Sequence, residues 1–236
     1  MCGRYFLITP SGELQREFGF TERPNLVKRF NIAPTQEAPV LRQRREPAGE
    51  RSLQNLRWGL VPPWAADLKI GAQMINARAE TAFEKPAFRN AFRRRRCLVP
   101  ADGFYEWRQE GKERQPYLIA RRDSALLAFA GLWERWTPKA PAPGAPAFVD
   151  SFTILTTTAN ALLQPLHERM PVILPREAYA RWLDPDAEPE ALRALLVPAP
   201  EDLLRYVPVD RRVNAAREDD AALIEPIGPE VRSAGA

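Results

Sequence analysis

Between positions 38 and 160 the chain is a succession of short β-branched or aromatic runs, "APVLRQ", "LQNLRW", "CLVPADGFYEW", "PYLIARR", "ALLAFAGLWERW" and "SFTILTTTAN", broken by Pro, Gly, Asp or Asn. Runs of this length and composition read as strands, and the breakers keep them short. The connections between them are of the brief, antiparallel kind, so the expected class is α+β: a curled mixed or antiparallel sheet closing into a pseudo-barrel, with helices on its outside. The 24 prolines fit many edges and turns. Helices are few. "SGELQREFG" predicts one, with Ser11 as N-cap, Leu14 and Phe18 on one face and Gly19 as the stop; "PREAYARWL" and "EPEALRALL" predict two more. Residues 43–52 read as loop. Residues 137–147 are Pro/Ala-rich and fall between two strands, which makes them a hairpin insertion within one domain spanning 1–236, and 226–236 reads as a flexible tail.

The 45% hydrophobic and 27% charged residues are an ordinary folded mixture. No apolar run approaches the roughly 20 residues that span a bilayer, and no secretory signal layout is present, so a cytosolic protein is expected. In that compartment Cys2 and Cys97 read as free thiols, Cys97 as a buried structural one. The net charge, 34 − 30 = +4, permits a polyanionic partner without demanding one. Arg89 and Arg93 to Arg96 crowd one short segment, which reads first as a solvated helix face and second as a phosphate attractor.

Several chemistries are excluded. There is no phosphate-binding G-x-x-x-x-G-K-[ST] loop, no dinucleotide fingerprint and no HExxH pair. One histidine and two distant cysteines supply a metal poorly, so neither metal nor cofactor is expected. What remains is Cys2, directly behind the initiator. Loss of Met1 would leave an α-amine and a thiol on adjacent carbons. An α-amine with a pKa near 7.7–8.0 keeps a neutral fraction at cytosolic pH and attacks aldehydes. The thiol beside it then closes a five-membered thiazolidine at high effective concentration. A small residue merely following Met1 is the plain alternative. "ADGFYEW" sets Glu106 between aromatics, where desolvation would raise its pKa for acid and base work, although a strand glutamate can equally face solvent. The lone His167 is either a core or capping residue or a proton carrier.

"MCGRY", "NIAPTQ", "RWGLVPPWA", "INARAET", "ADGFYEW", "LTTTAN", "LHERMPVIL" and "VPVDRRVN" occur in this order from Cys2 to Asn214. In order and spacing they resemble the SOS-response-associated peptidase (SRAP) family, known for capturing abasic sites in single-stranded DNA. The resemblance implies an α+β pseudo-barrel and a covalent thiazolidine between Cys2 and the ring-opened sugar. It implies that Asn76 holds the reacting end and that Glu106 and His167 shuttle protons. It also places Arg4, Asn31, Pro34, Trp58, Trp64, Arg78, Trp107, Thr156 and Arg169 along a DNA groove. Arginines for phosphates and indoles for bases suit a single strand gripped without sequence readout; for Trp58 and Trp64 a place in the core is as ready a reading. Two other functions fit the residues: an N-terminal-nucleophile hydrolase with Cys2 attacking an amide, and a noncovalent single-strand binder in which the cysteine is incidental. No protein partner is legible.

Overall fold

The computed structural model describes residues 2–22, 24–44, 49–139, 144 and 146–233. Twelve strands appear among them: β1 (Tyr5–Leu7), β2 (Arg29–Ile32), β3 (Glu37–Gln43), β4 (Arg51–Trp58), β5 (Asn76–Arg78), β6 (Arg96–Ala101), β7 (Gly103–Glu110), β8 (Glu113–Arg121), β9 (Leu127–Trp136), β10 (Val149–Thr158), β11 (Arg169–Pro171) and β12 (Leu204–Pro208). The helices are short: α1 (Ser11–Phe18), α2 (Arg89–Arg94), α3 (Tyr179–Leu183) and α4 (Pro189–Arg193).

The strands form two units. β10, β4, β3, β6 and β9 pair in that order and β9 pairs back to β10, closing a five-stranded barrel in which only the β4–β10 contact is parallel. β5 and β11 extend from β10 beyond the barrel. The second unit is an antiparallel sheet in the order β12-β8-β7-β1-β2. This is the expected α+β pseudo-barrel. Period-two alternation sorts its side chains: Tyr5, Leu7 and Phe104 join the main core, while Phe6 and Tyr105 point the other way into a smaller cluster with Leu118, Val207, Val213 and Leu223.

The second cluster explains one departure from expectation. Residues 226–231, expected as a flexible tail, run along β12, where Ile227 donates to the Pro208 carbonyl at 2.9 Å and Val231 exchanges two backbone bonds with Tyr206. β12 has a free edge and an apolar face, and this segment satisfies the edge. Other expectations need trimming. Ser11 is not the N-cap; Pro10 holds that position and Ser11 is the first helical residue, while Gly19 stops the helix in the left-handed region as expected. "CLVPADGFYEW" is two strands in different sheets, divided at Asp102, whose carboxylate accepts from Ile8 N, Thr9 N and the Thr9 hydroxyl. Gln43, Arg51 and Ser52, taken as loop, pair in the β3–β4 hairpin, and 45–48 lie outside the described residues. Trp136 pairs with Val149, so 137–147 connects a hairpin, with 140–143 and 145 likewise outside the described residues.

The arginine run is divided too. Arg89, Arg93 and Arg94 are exposed, but Arg96 is buried and donates to the carbonyls of Phe92, Arg93, Trp182 and Asp184, capping α2 and α3. Carbonyls at helix ends lack intrahelical donors, and a guanidinium serves several at once. Among the described residues no helix is long and apolar enough to cross a membrane.

Candidate functional site

The site lies where the two units meet. Cys2 precedes β1, and the β1–β7 register, Tyr5 against Phe104 with Tyr105 N donating to Arg4 O, brings Glu106 alongside the start of the chain. From the barrel side, β10 carries the rest. It pairs with β5 at Ile154–Asn76 and Thr156–Arg78, and with β11 at Thr158–Arg169. One strand thus gathers Asn76, Arg78, Thr156, Arg169 and, two residues before β11, His167. Asn76 joins the units: its Nδ2 donates to the Cys2 carbonyl at 2.8 Å. The Asn76 Oδ1 is buried and accepts no hydrogen bond among the described residues.

Cys2 is fully buried, and burial, with the Glu106 charge beside it, pushes its thiol well above the usual cysteine range. Glu106 is 5% exposed, and burial raises its carboxyl, with His167 near enough to pull the other way. His167 Nδ1 accepts the Arg169 N–H at 2.9 Å, so the neutral ring carries its proton on Nε2. All four residues assigned to the chemistry therefore come together.

The nine groove residues divide. Trp64 is 54% exposed and Arg78 is exposed, both available to a ligand; Pro34 is half-buried. Trp64 sits on a loop held by a close backbone approach, since a Cβ at Gly59 would lie 2.5 Å from the Gly71 oxygen. Trp58 instead is core: fully buried, packed on Tyr5 and Phe152, its indole N–H bonded to Ile75 O at 2.9 Å, so no base can stack on it here. Thr156 is fully buried and its hydroxyl has no hydrogen bond among the described residues. Arg169, 9% exposed, is forked onto the Glu80 carboxylate at 2.6 and 2.8 Å and also bonds Thr156 O. Here it braces β11 against the segment after β5 rather than facing solvent, and its guanidinium holds Glu80 below the usual carboxylate range.

Arg4, Asn31 and Trp107 share one framework. Arg4 Nη1 donates to Asn31 Oδ1 and Val213 O; Asn31 Nδ2 donates to Val213 O, Ala215 O and Glu218 O; the Trp107 indole donates to Asn214 Oδ1 at 2.6 Å. Asp219 completes it by accepting from Phe30 N and Asn31 N. Asn214 and Asp219 have no role in the sequence reading, although Asn214 lies within a motif that carries the resemblance, and Glu80, which "INARAET" presents beside Asn76 and Arg78, serves here as the partner of Arg169. Among the described residues no cluster of three or more His, Cys, Asp or Glu is placed to hold a metal.

The model of the family "SOS response associated peptidase (SRAP)" matches residues 1–216. The chain is 40% identical over 230 residues to the abasic site processing protein YoaM of Bacillus subtilis, covering 95% of this chain and 98% of YoaM. It is 31% identical over 267 residues to the abasic site processing protein HMCES of Gallus gallus, covering 96% and 78%. A crystal structure of a protein from Bacteroides thetaiotaomicron is similar with a TM-score of 0.83 at 25% identity, covering 95% of this chain and 99% of that one.

Proposed function

The chain belongs to the SOS response associated peptidase family, and from that premise we propose that it captures abasic sites in single-stranded DNA as a covalent thiazolidine on Cys2, shielding the lesion from strand cleavage. The observation that carries the reading is the seat of Cys2: its carbonyl is fixed by Asn76 Nδ2 at 2.8 Å, with Glu106 and His167 grouped around it. With Met1 attached, the Cys2 nitrogen is an amide, so the reaction waits on its removal. The freed amine attacks the C1′ aldehyde of the ring-opened sugar; its nitrogen loses a proton and the former carbonyl oxygen gains one to give the carbinolamine, while Asn76 Oδ1, which accepts no hydrogen bond among the described residues, can accept one from the remaining N–H. Protonated Glu106 gives its proton to the carbinolamine hydroxyl, which leaves as water, and an iminium forms. The thiol sulfur then bonds to the iminium carbon, and the thiol proton returns to Glu106. His167, with its Nε2–H available, assists the opening of the sugar ring and reversal.

Ring closure is what protects the strand. An open iminium acidifies the adjacent carbon and invites β-elimination; the thiazolidine removes that electron sink. The thiol's environment also favours this reading over a cysteine hydrolase. A hydrolytic cysteine relies on a depressed pKa, whereas burial and Glu106 push Cys2 upward; addition to an iminium lets a neutral thiol react and lose its proton as the bond forms. The test is intact-mass measurement after incubation with an oligonucleotide carrying one abasic position, followed by peptide mapping. Capture predicts attachment at the N-terminal Cys2 and none with Cys2→Ser; attachment at a lysine, or with Met1 still present, overturns it.

A further inference from the structure

We propose that Thr35, which the family resemblance did not place in the groove, is a DNA-backbone contact, its hydroxyl presented to a phosphate by a strained turn. Ala33 O accepts from Gln36 N at 3.2 Å, closing a turn with Pro34 second and Thr35 third. Proline fixes the second residue near −65°, and Thr35 has φ +71°, which together define a type II turn. The third position of that turn is ordinarily glycine, because a β-branched side chain meets its own backbone there. Thr35 is exposed, so no packing inside the fold rewards the side chain. Its hydroxyl makes no described hydrogen bond; its backbone makes two, Thr35 N to Trp58 O at 2.8 Å and Thr35 O from Arg57 Nη1 at 2.6 Å.

The turn is nevertheless held firmly. Trp58 N donates to Gln36 O, and the Gln36 side chain accepts from Ala33 N and from Arg29 Nη2. Arg29 also pairs with Asp219, which ties the turn to the framework of Arg4, Asn31 and Trp107. Strain held in place by this many bonds is the mark of a position kept for what it presents. What it presents is a hydroxyl beside Pro34, on an exposed residue whose backbone bonds Trp58 O and the Arg57 guanidinium. A hydroxyl donor in that place suits a phosphate oxygen, the one group every nucleotide repeats.

The inference rests on the DNA-binding half of the proposed function and not on Cys2, so the probe is a fluorescein-labelled, undamaged oligodeoxythymidine. Thr35→Gly should raise Tm by relieving strain yet weaken binding about 10-fold, the loss of one hydrogen bond to a charged group. Thr35→Ala should weaken binding equally with no such gain in Tm, and Thr35→Ser should bind like the wild type. Wild-type affinity in both Thr35→Gly and Thr35→Ala overturns the contact, and a lower Tm in Thr35→Gly overturns the strain. If the wild type binds this probe but forms no adduct with abasic DNA, the capture reading fails alone; if it crosslinks and the variants bind equally, only the role of Thr35 fails.

Discussion

At the residue scale, the proposed capture asks Glu106 for a proton to release water from the carbinolamine, and its burial favours the protonated form by disfavouring the carboxylate. A carboxyl raised in this way stays protonated until the pH passes its elevated pKa. The single-turnover rate of crosslink formation should therefore rise from acid pH as the Cys2 amine loses its proton and fall again as Glu106 loses its own. Glu106→Gln should lower the optimum rate by about 10²-fold and abolish the alkaline limb, while leaving DNA affinity unchanged. The setting of Glu106 between Tyr105 and Trp107 already suggested this environment in the sequence. The two tryptophans of "RWGLVPPWA" were not separable there, because residue type and flanking prolines are shared and only register decides which indole enters the core. Trp58→Ala should cost about 3–5 kcal/mol of stability in a denaturant titration. Trp64→Ala should leave the unfolding midpoint in place and weaken single-strand binding by about 1–3 kcal/mol, read by fluorescence anisotropy.

At the scale of elements, most strands were legible because each is a run bounded by breakers, whereas their partners were not. The parallel β4–β10 contact joins Arg57 and Trp58 to Ser151 and Phe152 across more than ninety residues, and nothing local encodes such a pairing. The same holds for the segment after β12, which carries little apolar periodicity. Its place is fixed by polar side chains reaching from β2: Asn31 satisfies three carbonyls between Val213 and Glu218. Removing the amide takes one donor from each: Val213 O keeps Arg4 Nη1 and Ala215 O keeps Glu218 N, while Glu218 O is left without a partner among the described residues. Asn31→Ala should destabilise the protein by about 2–3 kcal/mol and speed hydrogen exchange selectively at amides 213–219. Because Asn214 holds the Trp107 indole, the same variant should also weaken DNA binding, without altering the Glu106-dependent alkaline limb.

At the scale of the whole molecule, a net +4 is too small for a general field to govern the proposed DNA binding, so its electrostatic part falls to arginines that are both exposed and uncommitted. Arg78 and Arg169 make the contrast. They stand near one another through β10, but Arg78 is exposed while the Arg169 guanidinium is committed to Glu80 and Thr156 O. A phosphate contact releases counterions, and each one removed flattens the logarithmic salt dependence of binding by about 0.7 for a single strand. Arg78→Ala should reduce the slope by that amount with unchanged thermal stability. Arg169→Ala should behave as a structural lesion. It strips Glu80 of its partner and frees the N–H-bearing segment that orients His167, so Tm should fall and crosslink formation slow while the salt slope stays as it was. A binding isotherm series from 50 to 200 mM salt separates the two; a slope lowered by Arg169→Ala as much as by Arg78→Ala would mean that the Glu80 clamp opens when DNA arrives and that its guanidinium then joins the phosphate contacts.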